Sequence, residues 1–237
     1  MSTRVLFVPG FMQRGSAWAP VAELLPERYP SVLLDHAEHT FEGRLREIAD
    51  QGEGAVLCGY SMGGRLAIHA MLRNPTRYRA LVTVGASAGI DEPGAREKRR
   101  ETDERLAAWM ETAAIEDVVP IWERQPLFAD QSDAVIEEQR TGRLSHNPRD
   151  LAMLLRTAGQ GSLTSAWFEL GRADLPWLAI AGIRDDRYTA AARRIVREAP
   201  RARCETVPDA GHAPQLQQPE LVAGLLLDFL DQHFGEG

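Results

Sequence analysis

A chain of 237 residues with 44% hydrophobic and 26% charged residues can form one large domain with a substantial core, and this composition excludes disorder, collagen or coiled coil for the whole chain. The net charge of −7 argues against general nucleic-acid binding, which is associated with a basic surplus. Two cysteines, Cys58 and Cys204, are too few for a disulfide scaffold and favour a reduced, cytoplasmic location. The apolar run 5–8 is too short for a signal peptide or membrane span, so no membrane partner is expected.

Short apolar runs alternate with amphipathic segments in the first part of the chain. The apolar runs predict strands at 5–8, 31–35, 54–59 and 80–85. The amphipathic segments predict helices at 16–25, 41–50 and 61–72. Because strand and helix alternate at the spacing of βαβ units, the sequence predicts an α/β fold with a mostly parallel sheet and helices on both faces.

The pattern changes between residues 89 and 171, where no run predicts a strand. Amphipathic segments there predict helices at 101–114, 115–123, 132–140 and 150–157. We interpret 89–171 as a helical cap inserted into a core made of 1–88 and 172–237. The remaining core elements are expected as a strand at 176–182, a helix at 190–198, a strand at 202–208 and a closing helix at 221–234.

The segment Gly59-Tyr60-Ser61-Met62-Gly63 matches G-x-S-x-G, the pattern of a nucleophile elbow. In such an elbow the strand-to-helix turn is so sharp that side chains flanking the serine would clash. The motif stands between an apolar strand and a predicted helix, whose N-terminal N–H groups favour developing negative charge. These features predict Ser61 as the catalytic nucleophile.

Two later residues have the chain order that a serine–acid–histidine triad requires. Asp185 follows the strand at 176–182, at the carboxyl end where ligands gather in open α/β sheets, and the adjacent Asp186 is the alternative acid. His212 lies on a loop before the closing helix, where the general base belongs. We therefore predict Asp185 and His212 as catalytic partners of Ser61.

An oxyanion hole should accompany this triad and be built from two backbone N–H groups. One is the N–H of Met62, directly after the nucleophile. The other should come from the loop after the first strand, where Phe11 is the candidate.

These residues resemble those of the α/β-hydrolases, whose order nearly the whole chain follows. The stretch 59–65 reads G-Y-S-M-G-G-R and is similar to the elbow of the 2-succinyl-6-hydroxy-2,4-cyclohexadiene-1-carboxylate (SHCHC) synthases of menaquinone biosynthesis. Further stretches resemble motifs of that family in the same order, at 95–104, 122–128, 143–152 and 155–161.

The resemblance implies a lyase rather than a hydrolase. In that family the triad makes the serine a base, and pyruvate is eliminated from 2-succinyl-5-enolpyruvyl-6-hydroxy-3-cyclohexene-1-carboxylate (SEPHCHC). It implies no cofactor, no metal and a small anionic substrate. Family residues that bind this substrate map onto Tyr60, Arg65, Arg99, Trp122 and Arg143. Arginine suits the role because its guanidinium is always charged and binds carboxylates in a bidentate way.

The chain departs from the family at its oxyanion loop, where Pro9-Gly10-Phe11 replaces His-Gly-Phe. The alternative prediction is therefore a serine hydrolase of a small carboxylic ester or thioester, which needs the triad but not the arginines. A non-catalytic binding protein is a third hypothesis, since fold alone does not decide function. The sequence leaves a monomer and a small homo-oligomer both open.

Overall fold

A computed structural model describes residues 3–235 and contains one six-stranded sheet. Its strands are β1 (Val5–Val8), β2 (Ser31–Leu33), β3 (Val56–Tyr60), β4 (Ala80–Val84), β5 (Trp177–Gly182) and β6 (Ala202–Val207). They lie in the order β2-β1-β3-β4-β5-β6, and every neighbouring pair is parallel. The predicted α/β fold with its parallel sheet is confirmed.

Residues 3–235 also form ten α-helices, some of which pack against the sheet. They are α1 (Ala19–Ala22), α2 (Phe41–Gly52), α3 (Met62–Arg73), α4 (Pro93–Met110), α5 (Ile115–Glu123), α6 (Asp133–Leu144), α7 (Pro148–Ala158), α8 (Asp186–Glu198), α9 (Pro214–Gln217) and α10 (Pro219–Phe234). Side chains alternate across each strand, so Leu6 and Val8 join one buried apolar cluster while Val5 and Phe7 join another. Burial on both faces explains why β1 and β5 are continuous apolar runs, whereas the edge strands β2 and β6 are partly exposed and β6 carries polar residues.

The first predicted helix is much shorter than expected. Instead of a helix over 16–25, a 3₁₀ turn at Gly15–Trp18 leads into α1, which ends at Ala22. The hydrogen bonds then tighten to three-residue spacing up to Leu25. Pro26 follows and disfavours the helical conformation for the residue before it.

Two other helices begin earlier than predicted because acidic side chains cap them. In α4 the Glu92 carboxylate accepts a hydrogen bond from the Gly94 N–H at 2.8 Å, and Pro93 fits the first turn. In α8 the Asp185 carboxylate accepts one from the Tyr188 N–H at 3.1 Å. Sequence periodicity alone misses such starts, since the first turns of these helices carry few apolar residues.

In chain order, helices α4 to α7 all come after β4 and before β5. Within that stretch α4 packs against α7, and α5 packs against α6. Among residues 3–235, no helix combines the length and the apolar character needed to cross a membrane.

His69 of α3 makes stability depend on pH. Its ring stands edge-on to Phe41 with centroids 5.2 Å apart, and burial lowers the pKa of His69 to about 4. The pKa of histidine in an unfolded chain is ~6.5, so between about pH 6.5 and 4 the unfolded chain binds a proton at His69 that the folded chain does not. The free energy of unfolding should therefore fall as the pH falls through this window. We expect His69→Gln to weaken that dependence, measured by urea unfolding at pH 7 and at pH 4.5.

The matched control for this measurement is His39→Gln, because the His39 side chain is 44% exposed. This variant should follow the unmodified chain at both pH values. An unchanged pH dependence in His69→Gln would contradict the assignment of this effect to His69.

Candidate active site

The loops that follow the strands meet where the strand order reverses, between β1 and β3. Phe11 follows β1, Ser61 follows β3, Asp185 follows β5 and His212 follows β6. In open α/β sheets, ligands bind outside the carboxyl ends of the strands at such a switch point. The topology thus gathers chemistry-bearing residues from four distant parts of the chain.

Ser61 lies on a strained turn between β3 and α3. Its backbone has φ 50° and ψ −110°, a conformation that non-glycine residues rarely adopt, and its N–H donates to the Val84 carbonyl at 2.9 Å. A side chain at Gly63 would collide with the carbonyl oxygens of Val8 and Pro9. The close approach of these backbones explains why glycine is needed at position 63, two residues after the serine.

The structure brings Ser61, His212 and Asp185 into one chain of contacts. His212 Nε2 lies 3.1 Å from Ser61 Oγ, and His212 Nδ1 lies 2.8 Å from Asp185 Oδ2. The His212 side chain is 1% exposed, and its ring packs against the rings of Tyr188 and Tyr60, at 4.5 and 5.3 Å between centroids. With Nδ1–H donated to the carboxylate, Nε2 can accept the serine hydroxyl proton.

The two candidate oxyanion residues, Phe11 and Met62, both line the cavity in front of Ser61. Within residues 3–235, neither backbone N–H donates a hydrogen bond to another protein group. Gln13 closes the loop after β1 with two hydrogen bonds to Gly10. Its side-chain Oε1 accepts from the Gly10 N–H at 3.0 Å, and its backbone N–H donates to the Gly10 carbonyl at 3.3 Å. Sequence reasoning missed Gln13, and its only signal was an amide side chain close to the expected hole.

The cavity has a volume of about 480 Å³, within the ~300–1,000 Å³ range of small-molecule sites. One wall is aromatic, with Trp122 lying 4.9 Å from Phe11 and 5.7 Å from Phe128 between ring centroids. Tyr60 is buried beside Ser61, and burial raises the pKa of its hydroxyl well above the usual value. The hydroxyl therefore stays neutral and can donate a hydrogen bond.

Arg65 and Arg99 bring positive charge to the cavity wall. Arg65 is 4% exposed, and its Nη2 donates to the Ala158 carbonyl at 2.9 Å while its buried Nε has no partner among the described residues. Burial lowers the pKa of Arg65 to about 10, so it remains a cation at neutral pH. Arg99 Nε donates to Asp103 Oδ1 at 2.7 Å.

Arg143 is the one predicted binding residue that does not line this cavity. Its Nη1 donates to Glu123 Oε1 at 2.9 Å, and both side chains are buried, each 4% exposed. The pair joins α6 to α5. Two residues that sequence reasoning did not single out, Arg187 and Gln160, line the cavity instead. The only signal for Arg187 was its position two residues after Asp185.

Comparisons with known proteins find relatives over nearly the whole chain. A family model described as the alpha/beta hydrolase family matches residues 5–225. A Bacillus subtilis (strain 168) protein provisionally named 2-succinyl-6-hydroxy-2,4-cyclohexadiene-1-carboxylate synthase is 32% identical, over 97% of this chain and 90% of its own length. The synthase of that name from Enterobacter sp. (strain 638) is 26% identical, over 95% and 91%. The solved structure of MenH from S. aureus is 24% identical with a TM-score of 0.90, over 98% and 95%.

Proposed function

The chain belongs to the alpha/beta hydrolase family, and we propose that within it this enzyme is an SHCHC synthase of menaquinone biosynthesis, a carbon–oxygen lyase that eliminates pyruvate from SEPHCHC. The observation that carries the proposal is that Ser61, paired with His212, faces a cavity that also holds Arg65 and Arg99. A base beside fixed cations suits proton removal from a substrate with several carboxylates. Residues 89–171 would act as its cap.

The atoms of SEPHCHC define the elimination. Its C2 hydrogen lies next to both the succinyl ketone and the C3=C4 double bond, while the enolpyruvyl oxygen is on C5. Loss of the C2 proton forms C2=C3, moves the C3=C4 pair to C4=C5 and breaks the C5–O bond. The enolate of pyruvate leaves and takes up a proton, and the ring that remains is the 2,4-diene of SHCHC.

Ser61 would be the base of this reaction, with Asp185 and His212 raising its basicity. The 3.1 Å contact between Ser61 Oγ and His212 Nε2 supports this role, because the imidazole can take the hydroxyl proton as the substrate proton is removed. Negative charge then develops on the succinyl ketone oxygen. The N–H groups of Phe11 and Met62 would stabilise it there.

The experiment that tests the proposal is pyruvate release from SEPHCHC generated in situ. Rapid release by the unmodified enzyme, lost in Ser61→Ala, is the expected result. A folded enzyme that releases no pyruvate but hydrolyses small esters or thioesters would favour the alternative, a serine hydrolase.

A substitution of Arg65 should distinguish pyruvate elimination from ester hydrolysis. Replacing it with methionine keeps much of the buried volume but removes the charge, so we expect kcat/KM for SEPHCHC to fall by ~10–100-fold, the size of a lost charged hydrogen bond. Hydrolysis of a neutral ester such as p-nitrophenyl acetate should change much less. Arg73→Met is the matched control, because Arg73 lies on the same helix outside the cavity. Equal losses on both substrates in Arg65→Met would indicate a purely structural role.

A further inference from the structure

Arg187, at the start of α8, is a cation at the cavity wall that the catalytic scheme above does not use. We propose that Arg187 binds a carboxylate of the substrate together with Arg99, and that Gln160 is the positioning residue that holds the two guanidiniums in place. The inference rests on the proposed function in one respect, that the natural ligand is its polycarboxylate substrate.

Gln160 lies between the two arginines. Its Oε1 accepts hydrogen bonds from Arg187 Nη2 at 2.9 Å and from Arg99 Nη1 at 3.3 Å. Its Nε2 donates on the opposite side, to the Tyr188 hydroxyl at 3.2 Å and to Ser87 Oγ at 3.4 Å. Because donors surround one end of the amide and acceptors the other, its orientation is determined by its neighbours. The side chain is 2% exposed, which limits its movement.

The charges around this amide do not balance. Among the described residues, three guanidinium groups line the cavity, those of Arg65, Arg99 and Arg187, against the single carboxylate of Asp103. Asp103 pairs with Arg99, whereas Arg187 forms no ion pair with any carboxylate of residues 3–235. Two like charges that share one neutral acceptor repel each other, and a ligand carboxylate between them would remove that repulsion.

The position of Arg187 also ties this subsite to the reacting groups. Its guanidinium lies 5.4 Å from the centroid of the Tyr188 ring, and that ring packs 4.5 Å from the imidazole of His212. Arg99 belongs to α4 and Arg187 to α8. A carboxylate held by both would therefore fix the substrate relative to His212 and bridge the helical segment and the sheet core.

Binding can be measured without turnover in the Ser61→Ala background. The ligand is propane-1,2,3-tricarboxylate, titrated calorimetrically, with butyrate as the monocarboxylate reference. Adding Arg187→Ala should weaken tricarboxylate binding by ~10–100-fold, as expected for a lost charged hydrogen bond. Gln160→Glu should weaken it as well, because the new carboxylate would neutralise both arginines. Arg193→Ala is the matched control, since Arg193 is exposed on the same helix and does not line the cavity.

In enzyme that retains Ser61, Arg187→Ala should raise KM for SEPHCHC about tenfold or more and leave kcat within about threefold, the pattern of a contact made equally in ground and transition states. Identical binding constants and KM values in Arg187→Ala and Arg193→Ala would overturn the inference. Arg187-dependent tricarboxylate binding without pyruvate release would instead overturn the proposed function and leave the subsite standing.

Discussion

Ser61→Ala is expected to lower kcat for pyruvate release by ~10³–10⁶-fold, the range found when a member of a catalytic triad is removed. The loss should be large because, among residues 3–235, Ser61 Oγ is the only group within hydrogen-bond distance of His212 Nε2, and Ser61 lines the cavity. Tricarboxylate binding should change little, since the arginines remain. Steady-state kinetics with a coupled pyruvate assay measures the effect.

The matched control for Ser61→Ala is Ser16→Ala, since Ser16 is an exposed serine that does not line the cavity. Its kcat should stay within about threefold of the unmodified enzyme, as is usual for a surface substitution. A loss smaller than about tenfold in Ser61→Ala, with the fold intact by circular dichroism, would show that another group removes the proton.

Asp185→Asn should lower kcat by ~10³–10⁴-fold. The carboxylate accepts from His212 Nδ1 at 2.8 Å and so keeps the other ring nitrogen free to accept a proton. An amide at this position can donate to Nδ1 instead, which would favour the tautomer with its proton on Nε2. Substrate binding should persist in this variant, because the change leaves the cavity arginines in place.

The neighbouring acid provides the control for Asp185→Asn. Asp186 is exposed and is the first residue of α8, and no hydrogen bond joins it to His212 in residues 3–235. Asp186→Asn should therefore keep kcat within about threefold. The reverse result, a large loss in Asp186→Asn and a small one in Asp185→Asn, would exchange the two assignments.

Much of this fold can be predicted from the sequence, because local sequence patterns determine most of its strands and helices. The strands β1, β3, β4 and β5 are fully buried and mostly apolar, and periodicity places α5 at its observed bounds, Ile115–Glu123. The starts of some helices are not predicted by periodicity, since the start of α4 depends on the Glu92 cap rather than on an apolar stripe. The family follows from the elbow at Ser61 and the order of motifs along the chain.

The candidate site, too, can be predicted from the sequence only in part. Ser61, Asp185 and His212 could be named from a motif and from positions after strands, because parallel topology brings the carboxyl ends of strands to one edge. Their catalytic roles stay predictions that the variants above test. The sequence also indicated the cavity positions of Arg65, Arg99 and Trp122 through the family resemblance.

Only the tertiary structure decided which arginines share the cavity. Arg143 matches a family motif, yet its guanidinium is paired with Glu123, a partner that depends on how α5 and α6 pack together. Arg187 belongs to no motif of the sequence analysis and Gln160 is a variable position within the stretch 155–161, and the loop after α7 brings them together across 27 residues of sequence. Local patterns determine strands, helices and turns, because backbone and neighbouring side chains act at short range. Charge pairing depends on long side chains from separate elements, and packing alone decides where those side chains meet.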